Sequence, residues 1–280
     1  MAPLDQELPN EKHMGFLDHL EELRSRLFKS ILAIVIAGIV LFIKKDFLFD
    51  TVLFGPRHTD FVSYRMWCAI SEFFGAGNAF CVTEINYKLI NTSMLGNFTA
   101  HFMISMTGGL ILAFPVVLFQ VWAFIKPALK KEEKKSIRGV VFYSSILFFL
   151  GIGFGYYFIS PLSLQFLGNY EIGTGDLVVE PTIAVMSYVK TITSITFAAG
   201  LIFQLPIMVY FLSKVGIVTA GGLRKYRRHA LVFIMVLSAL ITPPDVTSQI
   251  LVSIPVLFLY EIGIIIAKRQ GRKRAKRKKK

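Results

Sequence analysis

Repeated runs of about 20 apolar residues limit what this chain can fold into more than any other feature. A helix rises 1.5 Å per residue, so a hydrocarbon layer ~30 Å thick is crossed by about 20 residues, and each such run reads as a membrane span. Six spans fit the sequence, at roughly 25–44, 97–125, 138–160, 186–213, 229–242 and 250–267. With 54% hydrophobic residues and 26 Phe, the chain carries far more apolar surface than a soluble domain needs. The expected fold is an all-α integral membrane protein with six transmembrane helices, some kinked, and short fifth and sixth spans. Residues 1–26 form an amino-terminal segment, 27–267 the membrane domain with a long polar loop at 45–95, and 268–280 a basic tail.

The formal charge of +13 suggests a nucleic-acid partner until its distribution is read. Sorted by the six spans, 25 of the 31 Lys and Arg residues fall on the side of the termini. That positive-inside bias places both termini in the cytoplasm. The tail KRQGRKRAKRKKK then reads as a topological anchor that also contacts anionic lipids. It has no aromatic or motif support for binding nucleic acid. No cleavable leader is expected, since residues 1–26 are polar and lack an A-x-A site.

Within KHMGFLDHLEELRSRL (12–27), Phe16, Leu20, Leu23 and Leu27 recur at helical spacing. This predicts an amphipathic helix lying on the inner membrane surface before it turns into the bilayer. Glu22 has two readings, an i,i+4 partner for Arg26 or part of a binding site. The polar loop holds both cysteines, Cys68 and Cys81, thirteen positions apart on the expected oxidising side. They are expected to pair, the alternative being two unrelated thiols, and closing the loop would contribute roughly 3 kcal/mol in the chain-entropy picture. His58 alone lies near them, too few ligands for a closed zinc site, and no metal or cofactor is expected.

The second span carries Gly108–Gly109, for close helix approach, and Pro115, which removes a backbone bond. Trp122 and Phe124 sit at the expected interface, and beyond Pro127 comes a cationic loop holding Glu132 and Glu133. The Gly151, Gly153 and Gly155 pattern lies in lipid-phase sequence with no preceding strand, so it predicts helix packing, not nucleotide binding. Gln204, in hydrocarbon, needs a partner, either another helix of this chain or a second membrane protein. The fifth span is only about 14 residues, or ~21 Å, and the turn TPPDVTSQ (242–249) separates it from the sixth.

No hydrolase, P-loop or zinc-protease motif is present, so the chain is not read as an enzyme. In the membrane interior the candidate ionisable residues are His101, Lys190 and Glu261, the last two near span ends. That scarcity argues against a secondary transporter, which usually displays a midplane ionisable site. What remains polar gathers at the cytoplasmic rim, Glu22 on the surface helix and Glu132 and Glu133 beyond Trp122 and Phe124. A secondary transporter and a scaffold for other membrane proteins stay open as alternatives.

Three spaced motifs carry a family resemblance. The run His19-Leu20-Glu21-Glu22-Leu23-Arg24-x-Arg26-Leu27 resembles the amino-terminal signature of TatC, the receptor subunit of the twin-arginine protein translocase. Phe114-Pro115, Phe119-Gln120-x-Trp122-x-Phe124, Pro127-x-Leu129 and Glu133 resemble its first cytoplasmic loop, and Thr242-Pro243-Pro244-Asp245, Ser248-Gln249 and Glu261-Ile262-Gly263 its last hairpin. The resemblance implies a bowl-shaped bundle in the bacterial inner membrane that exports folded proteins independently of Sec, driven by the proton-motive force. It implies a signal-peptide site at Glu22 and Glu133, with Phe124, Arg24 and Glu132 beside them. It also implies that single-span partners of the TatA and TatB type pack near Gln204, Thr242 and Gln249, that the protein assembles with copies of itself, and that Pro115, Trp122, Pro127 and Asp245 are structural. Many relatives carry Glu where this chain has Gln204, which cannot titrate. Two carboxylates suit two arginines because a planar guanidinium meets a carboxylate with two parallel hydrogen bonds, which lysine cannot do.

Overall fold

The first apolar run becomes α1, Phe16–Ile43, a 28-residue helix that passes from the amphipathic stretch into the span without interruption. The surface helix and first span expected as two parts are therefore one element. Neither Gly nor Pro lies between Phe16 and Gly38, so nothing in the sequence stops the helix from propagating. The computed structural model describes residues 16–73, 75, 81, 87–125, 137–170, 182–242 and 246–278.

Helix α3, Gly96–Ile125, packs along α1 and runs unbroken through Pro115. Where the two cross, a Cβ on Gly109 would lie 2.6 Å from the Gly38 nitrogen and 2.9 Å from the Ile34 carbonyl oxygen. Backbone therefore meets backbone, an approach only glycine allows. The third run forms α4, Ile137–Phe154, a π-helical segment Gly155–Ile159 and α5, Ser160–Gly168. The fourth forms α6, Val185–Ile202, and α7, Leu205–Val215, with the break at Phe203–Gln204 just ahead of Pro206. Proline cannot donate to the preceding turn, and the α-helical ladder stops there. Helices α4 and α6 cross as closely as α1 and α3. A Cβ on Gly151 would sit 2.8 Å from the Ala199 carbonyl oxygen and 2.9 Å from the Gly200 Cα, whereas one on Gly153 would meet nothing within 4 Å.

After the short α8, Ala220–Lys225, the chain ends in α9, Arg227–Ile241, and α10, Val246–Lys278. Among the described residues, five helical stretches are long and apolar enough to cross a membrane: His19–Ile43, Gly96–Ile125, Gly139–Gly168, Val185–Val215 and Gln249–Arg272. The expected fifth span is α9, whose 15 residues give about 22 Å of helix, short of the hydrocarbon thickness. The expected sixth is not short. Its apolar stretch is 24 residues inside a 33-residue helix that continues past Pro255 and through the basic tail to Lys278. Lys and Arg are good helix formers, and an established helix extends more easily than a new one starts.

The polar loop between α1 and α3 folds into a cap. It contains a π-helical segment, Phe47–Leu53, a 3-10 turn, Gly55–Arg57, and α2, Val62–Phe73, with Cys68 and Cys81 joined in a disulfide. A two-stranded parallel ladder, β1 Lys88–Ile90 with β2 Thr182–Ala184, pairs Leu89 with Ile183 and ties this loop to the one after α5. The bundle is thus almost wholly helical but not purely so. Three phenols donate to cap carbonyls that helix ends leave free: Tyr188 to Leu53 (2.9 Å) and Tyr156 to Val52 (2.5 Å) pin the cap to the bundle, and Tyr64 to Pro56 (2.8 Å) braces it internally. Leu48, Leu53, Tyr87 and Leu164 are buried around Tyr188. Burial pushes the Tyr87 phenol up to about 12, against a smaller opposing pull from Arg57.

Candidate functional site

The corner where α1 begins and α3 ends brings together residues about a hundred positions apart. Glu22 Oε1 accepts from Arg26 Nε at 2.9 Å and also from Arg26 Nη2, so the i,i+4 pair foreseen for these residues is formed. The pair is not isolated. Arg26 Nη1 reaches across to Gln120 Oε1 on α3 at 3.4 Å. One turn earlier the His19 ring stacks on Phe124, with centroids 4.3 Å apart and planes 18° apart. Buried Trp122 meets Phe211 of α7 edge-on at 5.0 Å, which seats the end of α3 against the fourth span.

Glu22 retains one unmet requirement. Its Oε2 is buried and has no hydrogen-bond partner among the described residues. A carboxylate oxygen removed from water without a donor is costly, and a charged donor arriving there would be bound strongly. Arg24, two residues on, is exposed on α1. Glu132, Glu133 and Pro127 lie outside the described residues, as does Asp245. His19 and Gln120 belong to the recognised motifs but had no role assigned to them from sequence. Their partners come from a different helix, and helical spacing within one segment carries no trace of that.

The second expected site has a different character. The Gln204 amide is satisfied inside the chain: Nε2 donates to the Ser144 carbonyl at 3.0 Å, and Oε1 accepts from the Ser144 hydroxyl. This is the internal contact that the sequence left open as an alternative. Thr242 Oγ1 donates to Ser238 O at 2.9 Å and so closes the end of α9, while Gln249 Nε2 donates to Met235 O at 3.0 Å and ties α10 to α9. A groove of about 350 Å³ runs beside them, with Lys190, Thr191, Ser194 and Thr242 on its walls. Of the ionisable residues expected near span ends, Glu261 accepts from Arg227 Nη2 at 2.7 Å, an ion pair roughly half open to its surroundings.

The profile of the family described as Sec-independent protein translocase protein (TatC) matches residues 18–255. The chain is 36% identical over 262 residues to the TatC of Blattabacterium sp. subsp. Periplaneta americana, covering 93% of this chain and 97% of that one. It is 34% identical to TatCy of Bacillus subtilis, covering 94% and 92% of the two chains. It is 33% identical to the TatC of Aquifex aeolicus, covering 93% and 98%. A crystal structure of a twin arginine translocase receptor, TatC, in DDM superposes with a TM-score of 0.68 at 33% identity, covering 89% of this chain and 99% of that one. A second crystal structure of such a receptor gives 0.64 at 32% identity, covering 90% and 99%. A match across most of the chain, in sequence and in fold, makes this a member of the TatC family: a multi-pass protein of the bacterial inner membrane that serves the Sec-independent translocase in protein transport and is not an enzyme.

Proposed function

We propose that the corner between α1 and α3 binds the paired arginines of twin-arginine signal peptides carried by folded proteins. The observation that carries this reading is the buried Oε2 of Glu22, unpartnered among the described residues, one turn from the His19–Phe124 stack. One guanidinium is taken by Glu22 and the second by Glu133, with Glu132 adding negative charge and Phe124 offering its ring to the peptide. Arg24 belongs to the same surface motif, and the lysines among residues 126–135 penalise loosely held cations. Partial exclusion of water raises the worth of these ionic hydrogen bonds above that of an exposed pair. The six-span arrangement with both termini cytoplasmic, inferred from the charge bias, puts this corner on the side from which precursors arrive.

In this reading the α9–α10 hairpin and the groove beside Thr242 receive single-span partners of the TatA and TatB type. The face of α9 supports it, since Val232, Phe233, Val236 and Leu240 are all exposed. With Gln204 and Gln249 already satisfied, such partners dock chiefly through apolar packing. Copies of the chain assemble with one another, the helical basic tail contacts anionic lipids, and the proton-motive force supplies the energy. The test is site-specific photocrosslinking from positions 124 and 133 to a twin-arginine signal peptide, with a twin-lysine peptide as control. Crosslinks to the arginine peptide alone are expected; equal crosslinks to both would remove the claim.

A further inference from the structure

At the other end of the bundle, between the end of α1 and the start of α3, lies a cavity of about 450 Å³. From Glu22 to the end of α1 is about 32 Å of helix, so the cavity sits at the opposite headgroup layer of a bilayer whose core is ~30 Å thick. Its polar wall holds Lys45, Asp46, Asp50, Asn97 and His101. Nothing in the signal-peptide reading uses these groups.

The charges on this wall are not neutralised by one another. Asp46 and Asp50 stand four residues apart, a spacing at which like charges destabilise a helix. Among the described residues the ion pairs are Arg26–Glu22 and Arg227–Glu261, and neither carboxylate of this wall has one. His101 is held by stacking on Phe42 at 4.0 Å and edge-on against Phe49 at 5.4 Å, with its Nε2 buried and unpartnered among the described residues. Just outside, Phe47, Leu95 and Phe98 expose more than half their surface. The place thus offers two carboxylates to a cation, a lysine and an amide to an anion, and apolar surface to whatever is attached.

We propose that this cavity binds the headgroup of an ethanolamine phospholipid. The ammonium lies between Asp46 and Asp50 and donates to both, the phosphate takes Lys45 and the Asn97 amide, and the acyl chains run down past Phe98 and Leu95. Headgroup chemistry selects the lipid. A choline headgroup has no N–H to donate, so it could use the phenyl faces but would leave both carboxylates without donors. A glycerol headgroup has hydroxyl donors but no cation, so its lipid brings an uncompensated negative charge toward two acids.

The experiment is native mass spectrometry of the full-length protein released from detergent with equal amounts of the ethanolamine, choline and glycerol phospholipids. A second arm offers soluble glycerophosphoethanolamine. Ethanolamine lipid is expected to be retained about tenfold more than either competitor, the worth of one ionic hydrogen bond. Asp46→Asn/Asp50→Asn should retain the ethanolamine and choline lipids equally while its helix content and melting in detergent stay unchanged. Should the double variant lose helix content, Asp50→Asn alone is read for the same loss of preference. Lys45→Ala should weaken both lipids alike. Equal retention by the native protein, or a preference surviving loss of the aspartates, overturns the proposal. Displacement of the lipid by the soluble compound at comparable concentration overturns its membrane source.

Discussion

His19 lies flat against Phe124, its ring 4.3 Å away, and this one contact locks the first turn of α1 onto the last turn of α3. Glu22 sits on the next turn of the same helix, so the stack fixes where the carboxylate lies relative to the end of α3 at Ile125. The family relationship says that a receptor is present; the stack says how its two halves are kept in register.

His19→Ala should therefore weaken signal-peptide crosslinking without abolishing it. An aromatic pair contributes about 0.5–1.5 kcal/mol beyond its buried area, which corresponds to roughly a two- to tenfold loss. Glu22→Gln keeps the shape and removes the charge, and export of twin-arginine precursors should fall by more than about tenfold with membrane levels unchanged. Export by Glu22→Gln at the native rate would count against the site.

The two close helix crossings make a paired prediction. Gly151→Ala drives a methyl group into the backbone of α6, where overpacking typically costs about 1–3 kcal/mol. Gly153→Ala, on the open face of the same helix, should be neutral or gain about 0.5–1 kcal/mol from helix propensity. Melting temperatures in detergent should separate the two variants in opposite directions.

Gln204 offers a test by double-mutant cycle. Its amide and Ser144 exchange two hydrogen bonds, so Gln204→Leu and Ser144→Ala should each destabilise the protein while the double variant loses less than their sum. A coupling of about 0.6 kcal/mol is the usual size between transmembrane helices. Co-purification of a single-span partner with Gln204→Leu measures separately whether this residue also matters for docking.

Alkaline pH should open the cap. The Tyr87 phenol is held near 12 when folded, above its ordinary 10.0, because burial disfavours the phenolate. Between these two values the unfolded cap ionises and the folded one does not, so stability is intact below pH about 10 and drains away as pH rises toward 12. The buried Tyr87 hydroxyl has no hydrogen-bond partner at normal geometry among the described residues, so Tyr87→Phe should both flatten this pH dependence and leave the cap no weaker at neutral pH. Fluorescence of Trp67, which meets Tyr64 edge-on at 5.9 Å within the cap, reports the opening.

Much of this architecture could be read from residue order. The long apolar runs appear as helices α1, α3, α4 with α5, α6 with α7, and α10, because hydrophobic length and helical rise are local quantities. Breaks were partly legible. A kink was expected near Pro115, yet α3 carries that proline, and α10 carries Pro255, without a break in the helix, while α6 stops just ahead of Pro206. The merging of the surface helix with the first span went unseen, since an amphipathic stripe does not announce where a helix bends. So did the ladder between β1 and β2, whose strands are more than ninety residues apart.

By itself the amino-acid order settled that this chain lives in a membrane, that it belongs with the twin-arginine translocases, and that its polar chemistry gathers at helix ends. Those properties follow from length, composition and motifs, each contained within a single segment. What only the folded chain decided was pairing. Among the described residues Glu22 keeps one oxygen without a partner although Arg26 holds the other, Gln204 finds Ser144 inside the chain, and His19 meets Phe124. Partners of that kind are set by which helices lie side by side, and the packing of backbone against backbone at Gly109 and Gly151 chooses them.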